Sequence, residues 1–235
     1  MNDIASLERC QAFINCNLQS PHQFASTPQS SRLPRAVTIS RQAGCGALLV
    51  AEKLAALLQK ESPGNAPPWT VFDHNLMETV MQDHNLPARI AQFIPEDRMT
   101  ELQDISEELF GLRPGSWAVV QQTSETILRL VEMGRVIIIG RGSNLVTARL
   151  PGVLHVRLVA PLEQRVQHVH EFHEMTKPKA REFCRREDRG RERYVKKYFN
   201  ADVSDPLLYH LTINTGIVGY DQAAELIMSL ARAAR

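Results

Sequence analysis

Val37-Thr38-Ile39-Ser40-Arg41-Gln42-Ala43-Gly44-Cys45-Gly46 passes from a short apolar, β-favouring run straight into a glycine-rich turn. The run predicts a first strand over Ala36–Ser40. Leu48, Leu49, Ala51 and Leu54 to Leu58 then give Cys45–Lys60 the apolar side of a helix. A strand that turns through glycines into a helix is the entry unit of an α/β fold.

Working outward, Ser62-Pro63-Gly64-Asn65-Ala66-Pro67-Pro68 is a loop of breakers and Trp69–Phe72 a second strand. Residues 75–134 carry no convincing strand and read as several helices, broken near Pro87, Pro95 and Gly111 to Gly115, which makes a helical insertion. Arg135–Ile139 is the strongest strand signal, an unbroken β-branched run suited to a parallel strand buried on both faces. Val153–Val159 is a further strand, Pro161–His173 a helix, Lys177–Lys197 a very basic helix, Leu211–Asn214 a last strand and Tyr220–Ala234 a last helix. This alternation predicts a parallel sheet with right-handed crossovers, and ligands then bind at the carboxyl ends of the strands.

The chain has 235 residues and a formal net charge of +1, which excludes a polyanion-coating protein. With 43% hydrophobic and 23% charged residues its composition is globular. No apolar run approaches the ~18 residues of a membrane-spanning helix, and the N-terminus has no signal-peptide pattern, so the expectation is a cytoplasmic protein without a membrane partner. Residues 3–18 fit a short amphipathic helix, and 19–34 a Ser/Pro/Gln-rich linker. The expected division is therefore 1–35 as an appendage and 36–235 as one domain. Cys10, Cys16, Cys45 and Cys184 have no regular spacing and read as free thiols.

Three places gather positive charge where such a sheet binds its ligand. In Ser40 to Gly46, glycines let backbone N–H groups approach a phosphate, and the following helix N-terminus adds positive potential. The pattern G-x-x-x-x-G-K-[ST] is absent, because Ala47 and Leu48 stand where the phosphate lysine and the magnesium hydroxyl would be. Arg41 is the nearest cation and can substitute in part for the lysine. On spacing alone a phosphate cradle and a plain glycine turn both remain open.

The second place is the arginine-rich helix Arg185 to Lys197, either an anion clamp or a solvated charged face. The third is Gly140-Arg141-Gly142, an arginine at the end of a strand. His168, His170 and His173 lack the spacing of four that metal ligation along a helix favours and read as surface residues. Cys45 sits at a helix N-terminus with no histidine base near in sequence, and reads as a small loop residue open to alkylation.

Taken together, Val37-Thr38-Ile39-Ser40-Arg41 with Gly44-Cys45-Gly46, Phe72-Asp73, Gly140-Arg141-Gly142, Ala160 to Val166, Asp188-x-x-Arg191-x-x-Tyr194, Tyr198-Phe199, Asp205-Pro206-x-x-Tyr209 and Ile213-Asn214-Thr215 resemble the cytidylate kinase-like family. The likeness runs from about Ala36 to the C-terminus. It implies a three-layer α/β fold similar to P-loop NTPases: a parallel sheet, a helical acceptor-binding insertion (75–134) and a basic lid (177–199). It also implies that Ser40, Gly44, Cys45 and Gly46 hold donor phosphates and that Asn214 and Thr215 border the donor base. Asp73, His74, Arg141 and Tyr194 would lie at the acceptor nucleotide, with Arg41, Arg186, Asp188 and Arg191 acting on the transferring phosphoryl group.

The leading expectation is an ATP-dependent, Mg2+-requiring kinase of nucleoside monophosphates, CMP or dCMP first. Its rival is a regulatory nucleotide-binding protein, or pseudokinase, without useful turnover, favoured by Ala47, Leu48 and Gly142. A third reading is a kinase of another phosphorylated small molecule. The family's Gly-Arg-Asp pattern becomes Gly140-Arg141-Gly142 here, which removes an acidic contact to the acceptor. Phosphoryl transfer needs positioning and charge neutralisation, so no catalytic triad is expected. Nucleic acid is not an expected partner, since the basic residues concentrate in one segment. A protein partner docking through the N-terminal helix is.

Overall fold

The computed structural model describes residues 33–64, 66–73 and 118–233. The expected N-terminal helix, most of the linker, His74 and most of the helical insertion lie outside the described residues. The elements are β1 (Ala36–Arg41), α1 (Ala47–Lys60), β2 (Thr70–Phe72), α2 (Ala118–Met133), β3 (Val136–Ile139), α3 (Ser143–Val146), β4 (Val153–Val159), α4 (Leu162–Phe172), α5 (Lys177–Phe199), β5 (Leu211–Asn214), α6 (Thr215–Val218) and α7 (Tyr220–Ala233).

The strands form one five-stranded sheet in the order β2-β3-β1-β4-β5. Every pairing is parallel, with Val37 opposite Ile137 and Leu154. The period-two alternation of the strands sends side chains to two cores. Ala36, Val136, Ile138 and Val153 face α2 and α3, meeting Ile127, Leu128, Val131 and Val146. Val37, Ile39, Ile137, Leu154, Val156 and Leu158 face α1 and α7, meeting Val50, Leu54, Leu58, Ala223 and Ile227. Helices thus cover both faces, which is why Val136–Ile139 is apolar at every position and wholly buried. This is the expected α/β architecture, an all-parallel sheet between two layers of helices.

Toward the carboxyl ends of β1 and β4 the α2/α3 face turns polar. Along β1 the sequence on that face runs Ala36, Thr38, Ser40, and along β4 it runs Val153, His155, Arg157, all of them buried. At that same end of the sheet, α4 and α5 pack together around Val166, Val169, Ala180 and Cys184, with Ala43 of the glycine loop in their midst. The basic helix α5 is one unbroken element of 23 residues, ended by Asn200 in the left-handed conformation.

Candidate anion-binding site

The turn after β1 is shaped by its glycines. Gly44 and Gly46 have φ of 79° and 76°, while Ala43 and Cys45 lie on the negative side, so the sign of φ alternates along the loop. Alternation of this kind turns successive N–H groups toward one concavity and makes an anion nest. A side chain would not fit at either glycine: a Cβ on Gly44 would lie 2.6 Å from the Arg165 carbonyl oxygen of α4, and one on Gly46 would enter the Tyr220 ring.

The loop carbonyls are held on the inner side. Arg165 Nη1 donates to the Ala43 carbonyl at 3.0 Å, and the Thr215 hydroxyl donates to the Cys45 carbonyl at 2.9 Å. The Gly46 carbonyl accepts from Val50 N–H as α1 begins. With these carbonyls tied down, the Gly44, Cys45 and Gly46 N–H groups donate no hydrogen bond of ordinary distance and angle to another described residue. Helix α1 starts directly at this point without a side-chain cap. Its first-turn N–H groups therefore add their dipoles to the nest.

Arg41 closes β1 and lies against Gly140, where a Cβ would overlap its guanidinium. Among the described residues its guanidinium has no hydrogen-bond or ion-pair partner, although its backbone pairs with Leu158 in the sheet. Its pKa falls to about 10, first because burial strips its water, then because Arg191 and Arg141 stand near as like charges; Cys45 and Asp73 oppose them. Three arginines from β1, the β3 turn and α5 therefore converge beside the nest. That arrangement raises positive potential in a partly desolvated place and is suited to a polyanion.

Gly140, Arg141 and Gly142 all have positive φ, of 85°, 55° and 68°. Ser143 N–H returns to the Gly140 carbonyl at 3.0 Å, closing a type I′ turn with Arg141 at its first central position. A non-glycine residue in this region costs roughly 1 to 2 kcal/mol. Tyr194 of α5 stands by Arg141, and burial pushes its phenol up to about 12, against the pull of the guanidinium. Phe199 covers Gly142 so closely that a Cβ there would lie 2.6 Å from its ring.

Asp188 of α5 reaches into the loop. Its Oδ1 accepts the Ala43 N–H at 2.7 Å, and its Oδ2 pairs with Arg165 Nη1 at 2.7 Å. Arg191, one turn on, lies 3.4 Å from Oδ1. Arg165 is only 6% exposed and also donates from Nε to the Ala160 carbonyl. It joins the loop, the end of β4 and the basic helix.

Of the residues named from sequence, the structure brings Ser40, Arg41, Gly44, Cys45, Gly46, Arg141, Asp188, Arg191 and Tyr194 to one end of the sheet, with Asp73 near enough to act on Arg41. Arg186 is not in this group: its side chain is 63% exposed, 3.6 Å from Glu187 and over the Phe183 ring. The Asn214 side chain caps α6 by accepting the Gly216 N–H, and Thr215 is occupied with the Cys45 carbonyl, so both are engaged in shaping backbone next to the loop.

The reading of Cys45 as open to alkylation needs correction. The residue is 1% exposed, and burial drives its thiol up to about 11 despite the cations beside it. Desolvation outweighs the helix N-terminus here. His168 is likewise more than a surface residue, since its Nδ1 meets the Tyr220 hydroxyl at 3.2 Å behind Gly46.

Two groups escaped the sequence reading. Arg165 was visible only as one letter of a quoted motif. Arg157, 7% exposed, donates to the Ser40 hydroxyl at 3.0 Å beneath the loop, with the Tyr209 hydroxyl 3.2 Å from the same oxygen. Ser40 is thus held from below rather than turned to the nest.

The cytidylate kinase-like family model matches residues 36–217, and the chain belongs to that family. Membership carries a nucleotide kinase-like role. An uncharacterized protein from Eubacterium ventriosum superposes with a TM-score of 0.57 at 18% identity, over 85% of this chain and 99% of that one, and shares the fold. TT1252 from Thermus thermophilus aligns over 85% of this chain and 97% of its own, at 18% identity and a TM-score of 0.35. A protein named uronate isomerase from Corynebacterium glutamicum is 33% identical over 110 residues, which is 47% of this chain and 21% of that protein. The chain therefore spans about a fifth of that curated relative. Among the described residues, no helix is long and apolar enough to cross a membrane.

Proposed function

We propose that this protein transfers a phosphoryl group from ATP to a nucleoside monophosphate, with CMP or dCMP as the first acceptor to test. The observation that carries the reading is the nest of Gly44 to Gly46, with its alternating φ, and beside it the Arg41 guanidinium, which has no hydrogen-bond or ion-pair partner among the described residues. The nest and the start of α1 would hold the donor phosphates. Arg41 would take the place of the missing lysine, neutralising charge that grows on the bridging oxygens as the bond to the leaving phosphate loosens. Arg141, Asp73 and Tyr194 would face the acceptor, and Arg191 the group in transfer. His74 is proposed with the acceptor set on its sequence position alone, and Asn214 and Thr215 at the border of the donor base.

Leu48 offers Mg2+ no oxygen where the loop hydroxyl would stand, and the described residues hold no group of three His, Cys, Asp or Glu side chains fit for a metal. The metal is therefore proposed to arrive with ATP, and the roles above run through arginines and backbone alone. A protein partner for the N-terminal segment and a cytoplasmic location are part of the same proposal.

A second reading has its own observation. Asp188 already takes one loop N–H, and Ala47 and Leu48 remove the usual catalytic loop groups, as in a nucleotide-binding regulator without turnover. The deciding experiment is ADP formation by the purified protein with MgATP across a panel of nucleoside monophosphates. Turnover with a pyrimidine monophosphate supports the kinase. ATP binding without ADP formation for any acceptor supports the regulator and sinks the kinase.

A further inference from the structure

The carboxylate of Asp188 sits in a place built for an anion. It is gripped by a backbone N–H of the phosphate loop and by a buried guanidinium, with a second guanidinium 3.4 Å away. The gripped N–H belongs to Ala43, the residue just before the nest of Gly44 to Gly46. Neighbouring Cα atoms lie ~3.8 Å apart, so a polyphosphate chain with one unit in the nest would bring its next unit to the carboxylate's position. The two anions cannot share it, because like charges at such a separation repel strongly in a partly desolvated site.

We propose that Asp188 is a resident anion of the polyphosphate site, held by Ala43 N–H, Arg165 and Arg191 until the terminal phosphoryl group of a ligand displaces it. This rests on the loop's reading as a polyphosphate cradle and adds an exchange to it. In the ligand-free protein Asp188 keeps Arg165 from being a buried, unpaired charge and locks α5 onto the loop. On binding, the phosphoryl group inherits the three donors and Asp188 swings out, freeing α5 to rearrange. The apparent affinity of the ligand is lowered by the cost of that displacement.

The test uses inorganic tripolyphosphate and the full chain. In Asp188→Asn the side chain keeps its shape, but the competing charge is gone and Arg165 loses its countercharge while keeping its bonds to the Ala43 and Ala160 carbonyls. The variant is expected to melt earlier than wild type when ligand-free, to bind tripolyphosphate about tenfold more tightly by calorimetry, and to show the larger thermal upshift on binding. In the wild-type protein, the 13C signal of the Asp188 carboxyl is expected to move on titration with the same saturation curve as binding. Equal affinity in both proteins, or a carboxyl signal that stays fixed while tripolyphosphate binds, overturns the proposal and leaves Asp188 a structural strut. The carboxyl measurement decides the matter if the variant fails to fold. Since these readouts need no turnover, they separate failure of the exchange from failure of the kinase reading.

Discussion

Two turns in this protein begin alike and end with different chemistry. The loop after β1 and the turn after β3 both leave neighbouring parallel strands, and both reach a helix through a left-handed glycine without a side-chain cap, Gly46 in one and Gly142 in the other. In the first, φ alternates in sign and the carbonyls are tied down by Arg165 and Thr215, and the Gly44, Cys45 and Gly46 N–H groups are left without an ordinary hydrogen bond among the described residues. In the second, three consecutive residues are left-handed, and Ser143 N–H is spent on the turn itself. The helices differ as well, with 14 residues against 4. Glycine content alone therefore does not make an anion site; what matters is where the carbonyls are sent. The second turn contributes in another way, offering Arg141 and a bare Gly140 against which Arg41 can lie.

The sharpest way to break this comparison is Gly140→Ala. Its Cβ would occupy the place of the Arg41 guanidinium, and its φ of 85° disfavours any side chain. A change confined to the second turn is expected to lower phosphoryl transfer by about a hundredfold, as loss of a preorganised charge contact does, and to cost about 1 to 2 kcal/mol of stability. Steady-state rates and urea midpoints would show both. Unchanged turnover would mean that Arg41 does not need its seat.

The pedestals beneath the turns also differ. Under the first loop the Thr38 hydroxyl and His155 Nδ1 are 2.8 Å apart, and His155 N–H donates to His210 Nδ1, whereas Ile138 of β3 points into an apolar core. Burial, and His210 beside it, hold the His155 pKa down to about 4. The unfolded chain, with an ordinary histidine near 6.5, therefore takes up the proton first as pH falls. Stability should be complete above about pH 6.5 and decline toward pH 4, by roughly 3 kcal/mol at most. Denaturation midpoints across that window, flattened in His155→Gln, would check the sign.

How much of this was legible in the sequence depends on how local the cause is. Val136–Ile139 announced itself because a strand buried on both faces needs apolar residues at nearly every position, and the two glycines of the first loop marked a turn that only they allow. Arg157 and Arg165 did not, since an arginine reads as exposed until its partners are known. Those partners stand at Ser40 and Ala43, more than 100 residues away in sequence. Cys45 failed for the same reason: its neighbours could be guessed, but its burial could not.

A smaller effect concerns the departure at Gly142. Restoring an acidic residue with Gly142→Asp is expected to cost about 2 kcal/mol, because the side chain meets Phe199 and the backbone is left-handed, without tightening CMP binding. Calorimetric titration with CMP would reveal any gain, and a clear one would return the acceptor contact to this position. The smallest effect is on Cys45, whose buried thiol should stay unmodified by iodoacetamide at pH 8 in the folded protein, as peptide mapping would show.

The central claim is that Arg41, seated on the second turn, does for the first loop what a lysine at position 47 would do. The most direct test compares phosphoryl transfer from MgATP in wild type, Arg41→Ala, and Arg41→Ala combined with Ala47→Lys. The account predicts a loss of about two to three orders of magnitude in Arg41→Ala and a partial return when lysine is supplied at position 47. Wild-type turnover in Arg41→Ala would contradict it.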